Sequence, residues 1–121
     1  MPKKPSDKEL AAQEIAQSWL ALVDEEQYAQ SWEAAAGYFK QAVSVENWLQ
    51  SMQAHRKPLG ALVSRDVKTM KYCTSLPGAP DGEYVVIQFK TSFANKKRAI
   101  ETVTPMIDAD GVWRVSGYFI R

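Results

Sequence analysis

The chain changes its hydrophobic period once, and the change falls around Pro58 and Gly60. Before that point apolar residues recur three or four places apart; after it they recur at every second place. A helix turns once in about 3.6 residues and a strand changes face at every residue. The two halves therefore cannot build the same kind of element. Helices must pack on a sheet, which is an α+β arrangement.

The helical half carries its own start signals. Ser6 followed by Glu9 is a capping box, in which each side chain satisfies an amide left free at a helix start. Ile15, Trp19 and Leu22 then recur at helical spacing to about Val23. In "DEEQYAQSWEAAAGYF", Asp24 with Gln27 reads as a second cap, and Glu25 and Glu26 sit where a helix dipole favours negative charge. Tyr28, Trp32, Ala35 and Phe39 follow as one apolar stripe, which predicts a single helix. Ser44 caps a third helix bearing Val45, Trp48, Leu49 and Met52 on one face. Arg56 and Lys57 suit its negative end, and Pro58 resists continuation. About three helices are expected.

The second half predicts four strands. Residues 61–75 alternate, with a slip of parity around Arg65 to Val67 that suggests a bulge. "LPGAPDGE" is a dense turn signal. In "YVVIQFKTSF", Val85, Ile87, Phe89, Thr91 and Phe93 share one face, while Gln88, Lys90 and Ser92 share the other. "AIETVTPMI" is a strand whose Pro105 predicts an edge position or a bulge. "DADG" is a turn, and "VWRVSGYFIR" is the last strand. With 121 residues, one domain over 7–121 is expected behind a flexible tail over 1–6. The expected form is a four-stranded antiparallel meander, curved over the helices.

The stretches "AQSWLALVDEEQYAQSW", "RKPLGALVSR", "SLPGAPDGEYVVIQF", "FANKKRAIETV" and "GVWRVSGYFIR" closely resemble family 4019 of the domains of unknown function, small bacterial proteins. The resemblance runs from about Ala11 to Arg121. It implies a cystatin-like, nuclear-transport-factor-2-like cone, with a sheet wrapped around helices. It also implies that members are often exported behind a signal peptide. A periplasmic or secreted location is thus expected where a leader has been removed, and a cytoplasmic one otherwise. The family has no established activity, so no catalytic residue carries over. The wider superfamily holds isomerases, dehydratases and non-enzymatic binders, and fold does not choose among them.

Composition narrows the classes further. Lys plus Arg number 15 and Asp plus Glu 14, so the basic footprint of a nucleic-acid binder is missing. Cys73 is the lone cysteine, which excludes an intrachain disulfide and a thiolate metal cluster. His55 has no second ligand at metal spacing, and no dinucleotide or phosphate-loop fingerprint is visible. No metal and no cofactor are expected. No apolar run reaches the length of a transmembrane helix, and "MPKKPSDKEL" has no apolar stretch behind its lysines, so it is not a signal peptide as it stands.

Three constellations carry candidate chemistry. Trp19, Tyr28, Trp32, Tyr84, Trp113 and Tyr118 are candidates for the wall of a pocket at the wide end of a cone, although rings at such spacings more often form core. Glu101 is the one carboxylate well inside a strand pattern, and an inward carboxylate in an apolar pocket is the requirement for an acid–base catalyst. A two-residue Asp110-Gly111 turn puts Thr102 opposite Phe119 and leaves Glu101 on the face opposite Trp113. A three-residue loop with Gly111 left-handed puts Glu101 opposite Phe119, on the Trp113 and Val115 face, and this second register is favoured because Val103 and Ile107 join it there. Arg56 and Arg65 are anion candidates, since arginine forks match carboxylate or phosphate; the simpler roles are helix-end dipole help for Arg56 and, for Arg65, an ion pair with Asp66 or Glu101. The "NKKR" cluster reads as a solvated hairpin tip. The leading expectation is a non-enzymatic module that binds a small ligand or protein through the cone pocket or the sheet face. The alternatives are an isomerase or dehydratase-like enzyme with Glu101 as base and Tyr28 or Tyr84 as hydrogen-bond donor, and a structural homodimer.

Overall fold

Local signals account for most element boundaries in the computed structural model, which describes residues 4–121. Part of the tail expected over 1–6 lies outside the described residues. Helix α1 (Asp7–Asp24) begins at the Ser6–Glu9 capping box, with both reciprocal bonds made. The single helix expected next is two, α2 (Tyr28–Glu33) and α3 (Gly37–Ala42). Tertiary hydrogen bonds break it: the Ala36 amide donates to the Val115 carbonyl at 2.8 Å, and the Gly37 amide to Asp108 Oδ2 at 3.1 Å. Amides bound outward in this way cannot also continue the stripe as one helix. Helix α4 (Val45–His55) starts at Ser44, whose oxygen accepts from the Asn47 amide. A 3-10 turn (Lys57–Leu59) and Gly60 then reverse the chain.

Strands β1 (Leu62–Cys73), β2 (Tyr84–Phe93), β3 (Lys96–Ile107) and β4 (Trp113–Ile120) form one antiparallel sheet in the order β1-β2-β3-β4. This corrects the expected form. The sheet is an open layer and not a curved, cystatin-like or nuclear-transport-factor-2-like cone, and four helices pack on it instead of three. Each strand pairs only with its neighbours in sequence, and nothing pairs β1 with β4. Successive hairpins alone build a flat meander with two edges.

The inner face of β2 is the expected one, with Val85, Ile87, Phe89, Thr91 and Phe93 buried. Against it lie Ala12, Ala16, Trp19, Leu20 and Val23 of α1, Phe39 of α3, and Trp48 and Met52 of α4. A smaller cluster of Ala36, Tyr84 and Met106 closes the far end. The parity slip in β1 is real, with register shifts between Leu62 and Ser64 and between Val67 and Thr69. Pro105 lies in a central strand at a bulge, where Ser116 and Gly117 together oppose Thr104. That bulge divides the β3–β4 ladder between the two expected registers: Ile107–Trp113, Met106–Arg114 and Pro105–Val115 follow the three-residue-loop register, and Val103–Tyr118 and Thr102–Phe119 follow the two-residue one. The connection spans five residues, Thr102 pairs with Phe119, and Glu101 pairs with Ile120. Glu101 nonetheless shares the inner face with Val115, because the extra residue in β4 reverses parity between them.

Candidate functional site

Four strands bring one residue each to a single buried point. Glu101 of β3 is fully buried. Its Oε1 accepts from Arg65 Nε of β1 and from Thr91 Oγ1 of β2, each at 2.6 Å. Its Oε2 accepts from Arg65 Nη2 at 3.2 Å and from the Tyr118 hydroxyl of β4. A carboxylate offers about four lone-pair positions, and all are filled from within the chain.

Asp24 enlarges the cluster. It ends α1, and Arg65 reaches both of its oxygens, Nη1 to Oδ2 at 2.7 Å and Nη2 to Oδ1 at 3.0 Å. Arg56 follows α4 and adds Nη2 to Asp24 Oδ1 at 3.2 Å and Nη1 to the Gly60 carbonyl at 2.7 Å. The Arg56 guanidinium lies 4.4 Å from the Phe93 ring centroid, and its buried Nε has no partner. Two guanidinium groups face two carboxylates, so the buried charge is balanced, as burial requires.

This arrangement shifts its members. Burial pulls the Arg65 pKa down, but the hydrogen bonds to Asp24 and then Glu101 outweigh burial and raise it. The Tyr118 phenol is pushed far up, first by burial and then by the negative charge of Glu101. Both groups are therefore locked in their ordinary neutral-pH forms. Glu101 is a carboxylate with no open acceptor position, and Tyr118 is a donor already committed.

The candidate pocket rings do not gather around one cavity. Trp19 is core: its Nε1 donates to the Ser31 carbonyl at 2.8 Å, and its ring meets Trp48 at 5.9 Å and Tyr118 at 5.3 Å between centroids. Tyr28 is buried in the same core. Trp32 donates to the Val43 carbonyl at 2.7 Å and packs on that core from outside, as does Trp113. Tyr84 belongs to the second cluster and donates to the Pro80 carbonyl at 2.5 Å. Two of the six border separate openings: Tyr118 a cleft of about 350 Å³ between α4 and β4, with Trp48, Met52, His55 and Phe119, and Tyr28 one of about 410 Å³ with Leu49, Gln53 and Lys57.

The larger opening beside this cluster is on the other side of the sheet. A groove of about 550 Å³ crosses the outer face at the β2–β3 hairpin end. Lys90, Lys97, Arg98 and Arg121 line it with Ser64, Ser92, Ile100 and one carboxylate, Asp66. Arg121 is fixed there by a two-way backbone pair with Ile100, both bonds 2.9 Å. None of these four cations forms an ion pair among the described residues. Glu101 lines neither the groove nor the cleft.

The Arg65–Glu101 ion pair, one of two pairings expected for Arg65 from sequence, is made, whereas Arg56 and Tyr118 stood separately and Asp24 and Thr91, which complete the cluster, were missed. Asp24 read as a helix cap, yet the N-cap of α2 is Gln27, which makes no side-chain bond. Lys90 and Ser92 were visible as the outer parity of β2. The hairpin lysine and arginine read as a solvated tip, since nothing in the local pattern places Arg121 beside them.

The family described as "Protein of unknown function (DUF4019)" matches residues 15–118. The chain belongs to that family. The DUF4019 match spans every member of the buried cluster, from Asp24 to Tyr118, and stops short of Phe119 and Arg121. No curated protein and no solved structure matches this DUF4019 chain. No helix among the described residues is long and apolar enough to cross a membrane.

Proposed function

We propose that this chain is a non-enzymatic binding module whose ligand sits on the outer face of the sheet. One observation carries the reading: the acceptor positions of the buried Glu101 are filled from within the chain, whereas the cations and serines of the outer groove bond to no other described residue. Glu101 has its acceptor positions filled by Arg65, Thr91 and Tyr118, and a general base needs a free one within reach of substrate. The outer groove, by contrast, is open, of a size typical for small-molecule sites, and lined by Lys90, Lys97, Arg98, Arg121, Ser64 and Ser92, whose side chains bond to no other described residue. A symmetric dimer through this face would set its lysines and arginines against their own copies, a like-charge contact that argues against that alternative.

A thermal-shift screen across metabolite and lipid classes tests the reading, since a ligand bound only to the native state raises the midpoint. The expected result is a hit whose amide shifts map to Ser64, Lys90, Ser92 and Ile100. A flat screen, or hits that map to the helical layer, would overturn it.

A further inference from the structure

We infer that the outer groove takes a small organic anion that carries phosphate or carboxylate groups beside an apolar part. This rests on the reading of the outer face as the binding face, and adds the chemical class of what it holds.

Charge is the first argument. The groove lining carries four cationic side chains against the single carboxylate of Asp66, a local side-chain charge of +3. The whole chain has a net charge of +1, so the remaining residues, with eleven basic and thirteen acidic side chains, are net negative. Positive charge is concentrated here on an otherwise acidic molecule. Elsewhere the chain pairs its arginines: Arg56, Arg65 and Arg114 all meet aspartates or glutamates. Arg98 and Arg121 meet none among the described residues. Forked guanidinium groups of this kind suit the paired oxygens of phosphate and carboxylate.

The second argument is shape and chemistry around the cations. Ser64 and Ser92 face one another across β1 and β2, and neither hydroxyl bonds to another described residue, so both remain as donors to an anion. Ile100 supplies an apolar floor. Phe119, on the edge strand opposite Thr102, borders the α4–β4 cleft and not the groove itself, but Arg121 lines both and sets its guanidinium 5.9 Å from the Phe119 ring centroid; that ring is 53% exposed. An anion held by Arg121 thus has an exposed ring within reach, and a ligand with an apolar body covers it. A bare inorganic anion leaves that surface wet. The cavity of about 550 Å³ fits a small molecule. Four cations on a chain of net charge +1 fall short of the footprint of a nucleic-acid surface.

The test uses the full ¹⁵N-labelled chain titrated at constant ionic strength with phenyl phosphate, citrate, inorganic phosphate, and neutral triethyl citrate. Phenyl phosphate and citrate should shift the amides of Ser64, Lys90, Ser92, Ile100 and Arg121 along saturating curves. Phenyl phosphate should bind at least about threefold tighter than inorganic phosphate, because its ring covers Phe119 and Ile100. The double substitution Arg98→Gln with Arg121→Gln should weaken both organic anions about tenfold or more while the thermal midpoint holds, since both side chains are exposed. Should triethyl citrate move these amides and the anions not, the anionic class falls while the outer face survives as the binding face. Shifts that grow linearly at every lysine and arginine of the chain, with no saturation at the groove, overturn the inference as non-specific ion binding. If a protein partner instead covers this face and the small anions leave it unmoved, the inference is likewise wrong.

Discussion

Glu101 receives a hydrogen bond from each of the other three strands, so one carboxylate ties the whole sheet together. Replacing it removes one partner from a desolvated set and leaves the Arg65 charge undercompensated. The substitution Glu101→Gln should therefore cost about 3–5 kcal/mol of stability in denaturant titration, while an unused catalytic carboxylate would cost little. Tyr118 gives a second reading of the same point. Its phenol holds its proton more tightly in the native state than in the unfolded chain, through burial first and the Glu101 charge second. A raised native pKa means that this stabilisation is complete below the unfolded tyrosine value of about 10 and is lost as pH rises above it. Wild type should lose stability above about pH 10 more steeply than Tyr118→Phe, which a series of thermal melts from pH 7 to 11 would show. Equal slopes would mean that the phenol is not held as described. Of this cluster the Arg65–Glu101 pair was legible in the sequence, but the arrival of Tyr118 at the same point was not, because it depends on the bulge in β4 that changes parity, and no local residue pattern sets the count of a bulge in its partner strand.

At the scale of elements, the stretch from α4 into β1 shows how backbone and cluster support each other. Gly60 has φ 79° and ψ −165°, a region that side chains with a Cβ rarely enter. A Cβ there would stand 3.0 Å from Asn95 Nδ2 and 3.1 Å from Ala94 Cβ. Gly111, in the β3–β4 turn, also has positive φ but open space around it. Gly60→Ala should lose roughly 1–3 kcal/mol or more, and Gly111→Ala about 1 kcal/mol, in parallel urea titrations. If the two cost the same, the packing of Gly60 against the β2–β3 hairpin carries no weight. The turn at Pro58 and Gly60 was readable because proline and glycine punctuate locally. The split between α2 and α3 was not, because it comes from the Ala36 and Gly37 amides bonding to Val115 and Asp108, residues more than 70 positions away. The β3–β4 connection was misjudged for a related reason. Asp108 and Asp110 both bind Arg114, and this ion-paired loop holds five residues where a tight turn was expected. The Arg114 side-chain bond holds the exposed Asp110 carboxyl down to about 2. A carboxyl NMR titration should find it still ionised at pH 3, and a midpoint near 4 would dissolve that pair.

At the scale of the molecule, the layers divide labour. One face of an open sheet is covered by four helices and tied by a neutral set of buried charges; the other presents unpaired cations to solvent. The two-layer α+β plan follows from the single change of hydrophobic period, which is why it was legible. That the sheet stays open was not, since closure depends on pairing between first and last strands, which hydrophobic alternation does not encode. The buried set has one more consequence, which concerns time. Asp24 and Arg56 are 32 positions apart, Arg65 and Glu101 36, and Asp24 and Arg65 41. Each bond closes a long loop, so its entropy is repaid only when most of the chain is in place. Such contacts are expected to form after the rate-limiting step of folding, which the unfolding rate tests. Glu101→Gln should thus raise the unfolding rate in stopped-flow experiments and leave the folding rate nearly unchanged. The cluster acts as a latch on the lifetime of the native state, whatever the outer face carries.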